Sequence, residues 1–155
     1  DPMHYESMDI QNPQRLIRAL EVCRLTGRTY TSFRSAPKKE REFRTISVGL
    51  MADRDIIYDR INRRVDLMMD AGQLEEAKEL YPHRGLNALQ TVGYREFFEH
   101  FDGDVSLDEA VDNLKRNTRR FAKRQLTWFK KDESTKWFDY QDTRNLLNYL
   151  DSQIR

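Results

Sequence analysis

Apolar positions in this chain recur mostly at the three- and four-residue spacing of helices, with two short stretches of strand-like character. Asn12-Pro13 sets a capping side chain and a first-turn proline ahead of Leu16, Ala19, Leu20 and Cys23, and Gly27 closes that helix. A shorter helical stretch near Thr29 to Phe33 runs into Ser35–Arg41, whose Pro-Lys-Lys-Glu-Arg run reads as an exposed linker. Ile46, Val48 and Leu50 alternate with small or polar neighbours from Thr45 to Leu50, which predicts a strand. Asp53 then caps a helix reaching about Ala71, closed by Gly72, and another helix covers about Leu74 to Tyr81. Leu86 to Val92 reads as a loop leading into Gly93, and a short aromatic helix carries Phe97, Phe98 and Phe101. After the Asp102-Gly103-Asp104 turn, Ser106 and Glu109 form a capping box for a long helix. Lys136 to Asp139 suggests a second short strand, and Leu146, Leu147, Leu150 and Ile154 mark a final amphipathic helix. The class is mostly α with a few short strands.

The long helix is where charge changes the picture. The chain is nearly neutral, with 27 Lys plus Arg against 26 Asp plus Glu. Yet from Asn113 to Lys131 there is no acidic residue, and eight basic ones stand there: Lys115, Arg116, Arg119, Arg120, Lys123, Arg124, Lys130 and Lys131. On a helical wheel Leu107, Ala110, Val111, Leu114, Phe121, Ala122, Trp128 and Phe129 share an arc of about 120°, and every one of those cations falls outside it. This predicts one face in a core and the other a strip of cations. Like charges four apart repel within a helix, and no acid is there to pair with them. A phosphate-bearing polyanion is therefore favoured over a merely solvated face, because neutralised phosphates release counterions. A membrane-surface helix fits less well, since a core needs so wide an apolar face.

Two polar residues interrupt the apolar arc, Thr118 and Gln125. A threonine can bond the carbonyl one turn back. A glutamine in an apolar stripe must satisfy its amide, either by a structural hydrogen bond or by a ligand contact. In the helix after Asp53, Arg60 and Arg64 sit within the arc of Ile57, Ile61, Val65 and Met68. Two guanidinium groups aimed toward a core call for carboxylates or phosphates. Structural salt bridges are the plainer alternative, and Arg63 faces away.

A length of 155 residues with 38% apolar content suits one core. No apolar run approaches a membrane span, and no basic-then-apolar signal opens the chain. The single cysteine, Cys23, is expected to be a small buried hydrophobe, in keeping with a reducing cytoplasm. His4, His83 and His100 are too scattered to suggest a metal site. The start at Asp1 instead of methionine suggests a fragment.

Four stretches together resemble one family: Gln14-Arg15-Leu16-Ile17-Arg18-Ala19-Leu20-Glu21-Val22, Arg60 through Met68, Gln90-Thr91-Val92-Gly93-Tyr94-Arg95-Glu96, and Thr118 through Phe129. They are similar, in the same order, to the tRNA dimethylallyltransferases, also called tRNA isopentenyltransferases. The Thr-Arg-x-x-Ala-Lys-Arg-Gln-x-Thr-Trp block is the most specific of them. The resemblance implies transfer of a dimethylallyl group from dimethylallyl diphosphate to the exocyclic amine of the adenine 3′-adjacent to the anticodon. It also implies a P-loop α/β core of nucleotide-kinase type, Mg²⁺, a general-base Asp after the P-loop, and a helical insertion gripping the tRNA anticodon stem-loop. None of the six glycines (27, 49, 72, 85, 93, 103) has P-loop spacing, so the expectation is the C-terminal half only. On that expectation residues 1–41 are the end of the tRNA-binding insertion, and 42–155 the mainly helical C-terminal part of the core. The fragment alone is expected to be inactive, cytoplasmic and monomeric.

By motif, the family's tRNA contacts fall on Gln14, Arg15, Arg18, Gln90, Thr91, Gly93, Tyr94, Arg95, Lys123, Arg124, Gln125, Thr127, Trp128 and Lys130. Gln125 and Tyr94 suit the edge and face of an extruded base, and Arg95, Lys123 and Arg124 suit phosphates. Arg60 and Arg64 are additional candidates as helpers for the diphosphate leaving group. Two readings from other classes stand beside the enzyme. One is a helical RNA-binding module without chemistry, and the other is an interaction domain that docks its cationic helix on an acidic protein.

Overall fold

Asn12 starts its helix as expected, accepting from the Arg15 amide at 3.2 Å, and Gly27 ends it in the left-handed region at φ 66°. The computed structural model describes residues 1–34 and 42–154, so the expected linker Ser35–Arg41 lies outside the described residues. The chain divides into two compact units, Asp1–Arg44 and Thr45–Arg155.

The first unit holds α1 (Pro2–Ser7), α2 (Pro13–Thr26) and α3 (Tyr30–Arg34). Helix α1 was not legible in the sequence, being too short to show a period. Asp1 makes it: its carboxylate accepts from the His4 amide at 3.2 Å and from the amide and hydroxyl of Thr31 at 2.7 and 2.8 Å. His4, buried, rests its ring 4.6 Å from that of Tyr30. On α2 only Ala19 is buried. Cys23 is half-buried and Leu20 exposed, so the apolar line expected to bury Cys23 does so only in part.

The second unit runs β1 (Val48–Met51), α4 (Arg54–Asp70), α5 (Gln73–Leu80), α6 (Arg95–Phe101), α7 (Leu107–Phe129), β2 (Lys136–Asp139) and α8 (Thr143–Ile154). Strand β1 starts later than Thr45, because pairing and not alternation sets its ends. It runs parallel to β2 with Val48 opposite Lys136 and Met51 opposite Asp139. Gly49 allows that approach, since a Cβ there would stand 2.6 Å from the Trp137 indole. The core lies where α4, α5, α6 and α7 meet, at Val65, Ala77, Phe97, Ala110 and Leu114. Asp53 stands at the cap of α4 but gives no capping hydrogen bond.

The capping box of α7 is present in full. Ser106 Oγ accepts from the Glu109 amide at 3.2 Å, and Glu109 Oε2 accepts from the Ser106 amide at 2.9 Å. That backbone bond, with the Ser106 hydroxyl, holds the Glu109 carboxyl below the usual glutamate range. Only the first half of the apolar arc of α7 is covered. Ala110 and Leu114 are buried, whereas Phe121, Trp128 and Phe129 are exposed. A wheel identifies which residues share a face but not what covers it.

Candidate nucleic-acid interface

Seven of the eight cations from Lys115 to Lys131 separate into two groups, and the exposed Arg116 stands apart, donating to Asn113 Oδ1. Lys115 and Arg119 turn toward α4: Lys115 Nζ lies 2.5 Å from Asp66, and Arg119 Nη1 donates to Asn62 Oδ1 at 2.6 Å. Arg120, Lys123, Arg124, Lys130 and Lys131 are exposed, and no carboxylate pairs with them among the described residues. Thr127 and the 68%-exposed Trp128 border the same surface hollow as Arg120, Lys123 and Arg124. The hydroxyl of Thr127 is turned back onto the Lys123 carbonyl at 2.9 Å. Thr118 likewise bonds the Leu114 carbonyl at 2.7 Å, the local role expected of a threonine on that face.

Beside this strip lies the segment from Gln90 to Arg95. Gly93 is buried at φ 114°, a backbone region that side chains disfavour. Its N–H donates to Glu96 Oε2 at 2.9 Å, and its carbonyl accepts from Gln73 Nε2 at 3.5 Å. The other oxygen of Glu96 accepts from Asn117 Nδ2 of α7 at 2.8 Å. Tyr94 donates its hydroxyl to Glu76 at 2.6 Å, which raises its pKa above the ordinary tyrosine value, and its ring stacks on Phe98 at 6.3 Å. Gln90 donates to the Arg84 carbonyl at 2.5 Å, and the exposed Thr91 accepts the Arg95 amide at 3.3 Å through its carbonyl. Arg95 is exposed and shares a cavity of about 310 Å³ with Arg120 and Arg124. Two regions far apart in sequence thus line one cavity, which Glu96 and Glu99 also border. Sequence reasoning gave no role to Glu96 or Asn117. The available signal was a carboxylate three residues beyond a glycine, at the start of a helix.

Gln125 does not sit in a core. It is exposed and borders an open cavity of about 970 Å³ that also includes Leu50, Ala122, Leu126 and Trp137. Arg60 and Arg64 are also exposed, contrary to the expectation that they point inward. They lie toward the edge of the arc marked by Ile56 and Leu67, which are 38% and 67% exposed, whereas Val65 on the other edge is buried. They border one groove with Tyr140, whose ring centroid lies 5.5 Å from the Arg60 guanidinium. In the first unit Gln14, Arg15 and Arg18 are exposed on α2, and Arg18 meets Glu21 at 3.4 Å. An exposed pair of this kind contributes little.

Among the described residues no three His, Cys, Asp or Glu side chains gather to hold a metal ion, and no helix is long and apolar enough to cross a membrane. Fold and surface together define a mostly helical protein with a cationic helix edge. A family profile described as IPP transferase matches residues 1–132, and the chain belongs to that family. It is 56% identical to the tRNA dimethylallyltransferase of Christiangramia forsetii, over 99% of this chain and 51% of that protein. It is 50% identical to tRNA dimethylallyltransferase 1 of Bacteroides fragilis, over 100% and 52%. The solved full-length tRNA isopentenylpyrophosphate transferase of Bacillus halodurans superposes with a TM-score of 0.66 at 38% identity, covering 99% of this chain and 48% of that one. That of Staphylococcus epidermidis gives 0.65 at 29%, over 99% and 52%. The chain spans about half the length of the relatives it matches.

Proposed function

We propose that this chain is the tRNA-binding and core-supporting half of an enzyme that moves a dimethylallyl group from dimethylallyl diphosphate to the exocyclic amine of the adenine 3′ to the anticodon. One observation carries the reading: Arg95, Arg120 and Arg124 line one cavity, and Arg120 and Arg124 also border a hollow with Lys123, Lys131 and an exposed Trp128. Guanidinium and ammonium groups hold the RNA backbone, and an indole gives an unstacked base a flat surface. Gln125, within reach of the same end of α7, supplies an amide for a base edge. The first unit is the end of the RNA-gripping insertion, presenting Gln14, Arg15 and Arg18, and the second belongs to the core. Arg60 and Arg64 serve the diphosphate, where fixed positive charge offsets what develops on the leaving group. Mg²⁺, the P-loop and the general base belong to the remainder of a complete enzyme working as a cytoplasmic monomer.

The test is a chimera in which this chain replaces the matching half of the Christiangramia forsetii enzyme. It is expected to prenylate an anticodon stem-loop carrying the target adenine. A folded chimera that binds the stem-loop without transfer would leave only a helical RNA-binding module, and one that an acidic protein displaces from RNA would favour the docking domain.

A further inference from the structure

We propose that Glu96 is a positioning residue that pins the Gly93–Arg95 segment to α7, so that Arg95, Arg120 and Arg124 converge on one RNA phosphate. The inference rests on the tRNA reading above and adds the group that sets the distance between two RNA-contacting segments. Glu96 is 3% exposed, and a buried carboxylate is costly unless its oxygens are satisfied. Both are: Oε2 takes the Gly93 N–H at 2.9 Å and Oε1 takes Asn117 Nδ2 at 2.8 Å. With its carbonyl held by Gln73 as well, Gly93 has no freedom to swing. Arg120 and Arg124 follow Asn117 by one and two turns, on the same side of α7. The bridge therefore fixes Arg95 against these two cations around the cavity of about 310 Å³. Three arginines and two glutamates, Glu96 and Glu99, line that cavity. The charge of Glu96 is directed into its two donors, and half-buried Glu99 is the group that opposes an anion.

The experiment measures binding of an anticodon stem-loop RNA to the 155-residue chain, well below each variant's melting temperature and across a salt series. Glu96→Ala removes both acceptors of the bridge. It is expected to weaken binding about tenfold and to flatten the log–log salt slope by about 0.9, the loss of one phosphate contact. Adding Arg95→Ala to it should cost almost nothing more, because both act on one contact. Glu96→Gln keeps an oxygen for the Gly93 N–H and lets the Asn117 amide turn over to accept from the new NH₂, so it should bind at least as tightly as the parent chain. Glu99→Gln should tighten binding. Should Glu96→Ala not fold, Asn117→Ala removes one side of the same bridge and carries the same expectation. A lower melting temperature with unchanged affinity and slope would make Glu96 purely structural and overturn the proposal, as would losses from Glu96→Ala and Arg95→Ala that simply add. If Arg95→Ala weakens binding and Glu96→Ala does not, this inference falls alone. If Arg95→Ala changes nothing, the tRNA reading of the segment falls with it.

Discussion

Arg119 donates to Asn62 Oδ1 at 2.6 Å, so a cation at the middle of the α7 strip ties two helices together instead of facing solvent. Arg119→Ala is expected to lower stability by about 1 kcal/mol and leave the salt slope of tRNA binding unchanged. Replacing Arg120, Lys123 and Arg124 by Ser should do the reverse, flattening the slope by up to about 2.7 with little change in melting. A salt titration beside thermal melts separates the two, and equal effects on the slope would remove the division of the strip.

Gln125 is exposed at the edge of an open cavity. In the chimera, Gln125→Ala should reduce transfer about ten- to a hundredfold, the loss of one or two hydrogen bonds to a base. Melting should barely move, as no packing is lost. Unchanged transfer per folded molecule would show the residue to be dispensable.

Arg60 and Arg64 share one groove on the open face of α4. Arg64→Lys keeps the charge and loses the planar fork, so turnover in the chimera should fall while tRNA affinity holds. A loss confined to tRNA affinity would assign both arginines to RNA instead.

Glu109 ties its carboxylate to the N-terminus of α7, and its pKa is lowered in the fold. The sign follows from linkage: the contribution is present above the unfolded glutamate pKa and is lost as pH falls through the lower folded value. Melting followed from neutral to acid pH should therefore drop in that range, and Glu109→Gln should blunt the drop. Parallel curves for the two proteins would sink the assignment.

The chain alone, without a P-loop, should give no detectable prenyl transfer while still binding tRNA weakly. Radiolabelled transfer beside a binding titration decides this, and any turnover by residues 1–155 would contradict it.

Short-range chemistry was the legible part of this fold. The Asn12 and Ser106 caps and the Gly27 and Gly72 stops all depend on neighbours a few residues away, and each stands where its residues suggest. What faces a residue across space was not legible. Arg60 and Arg64 lay on an apolar arc and were expected to point inward, but only the Val65 edge of that arc is buried. Gln125, whose arc allowed a core hydrogen bond or a ligand contact, is exposed because that end of the arc is uncovered. The Glu96 bridge joins residues 21 apart with no periodic trace. The family motif drew attention to Gly93, Tyr94 and Arg95, whereas the residue holding them is the glutamate at the motif's end.

The pairing of Val48 with Lys136 also has a meaning in time. The two strands are separated by roughly ninety residues, which a ribosome adds in about 5 to 20 seconds at ordinary rates. Throughout that interval β1 has no β2 beside it, while the turns that build α4 to α7 need only nearby chain. For that interval β1 lacks its parallel partner, and Gly49 leaves the space that the Trp137 ring fills once β2 is made.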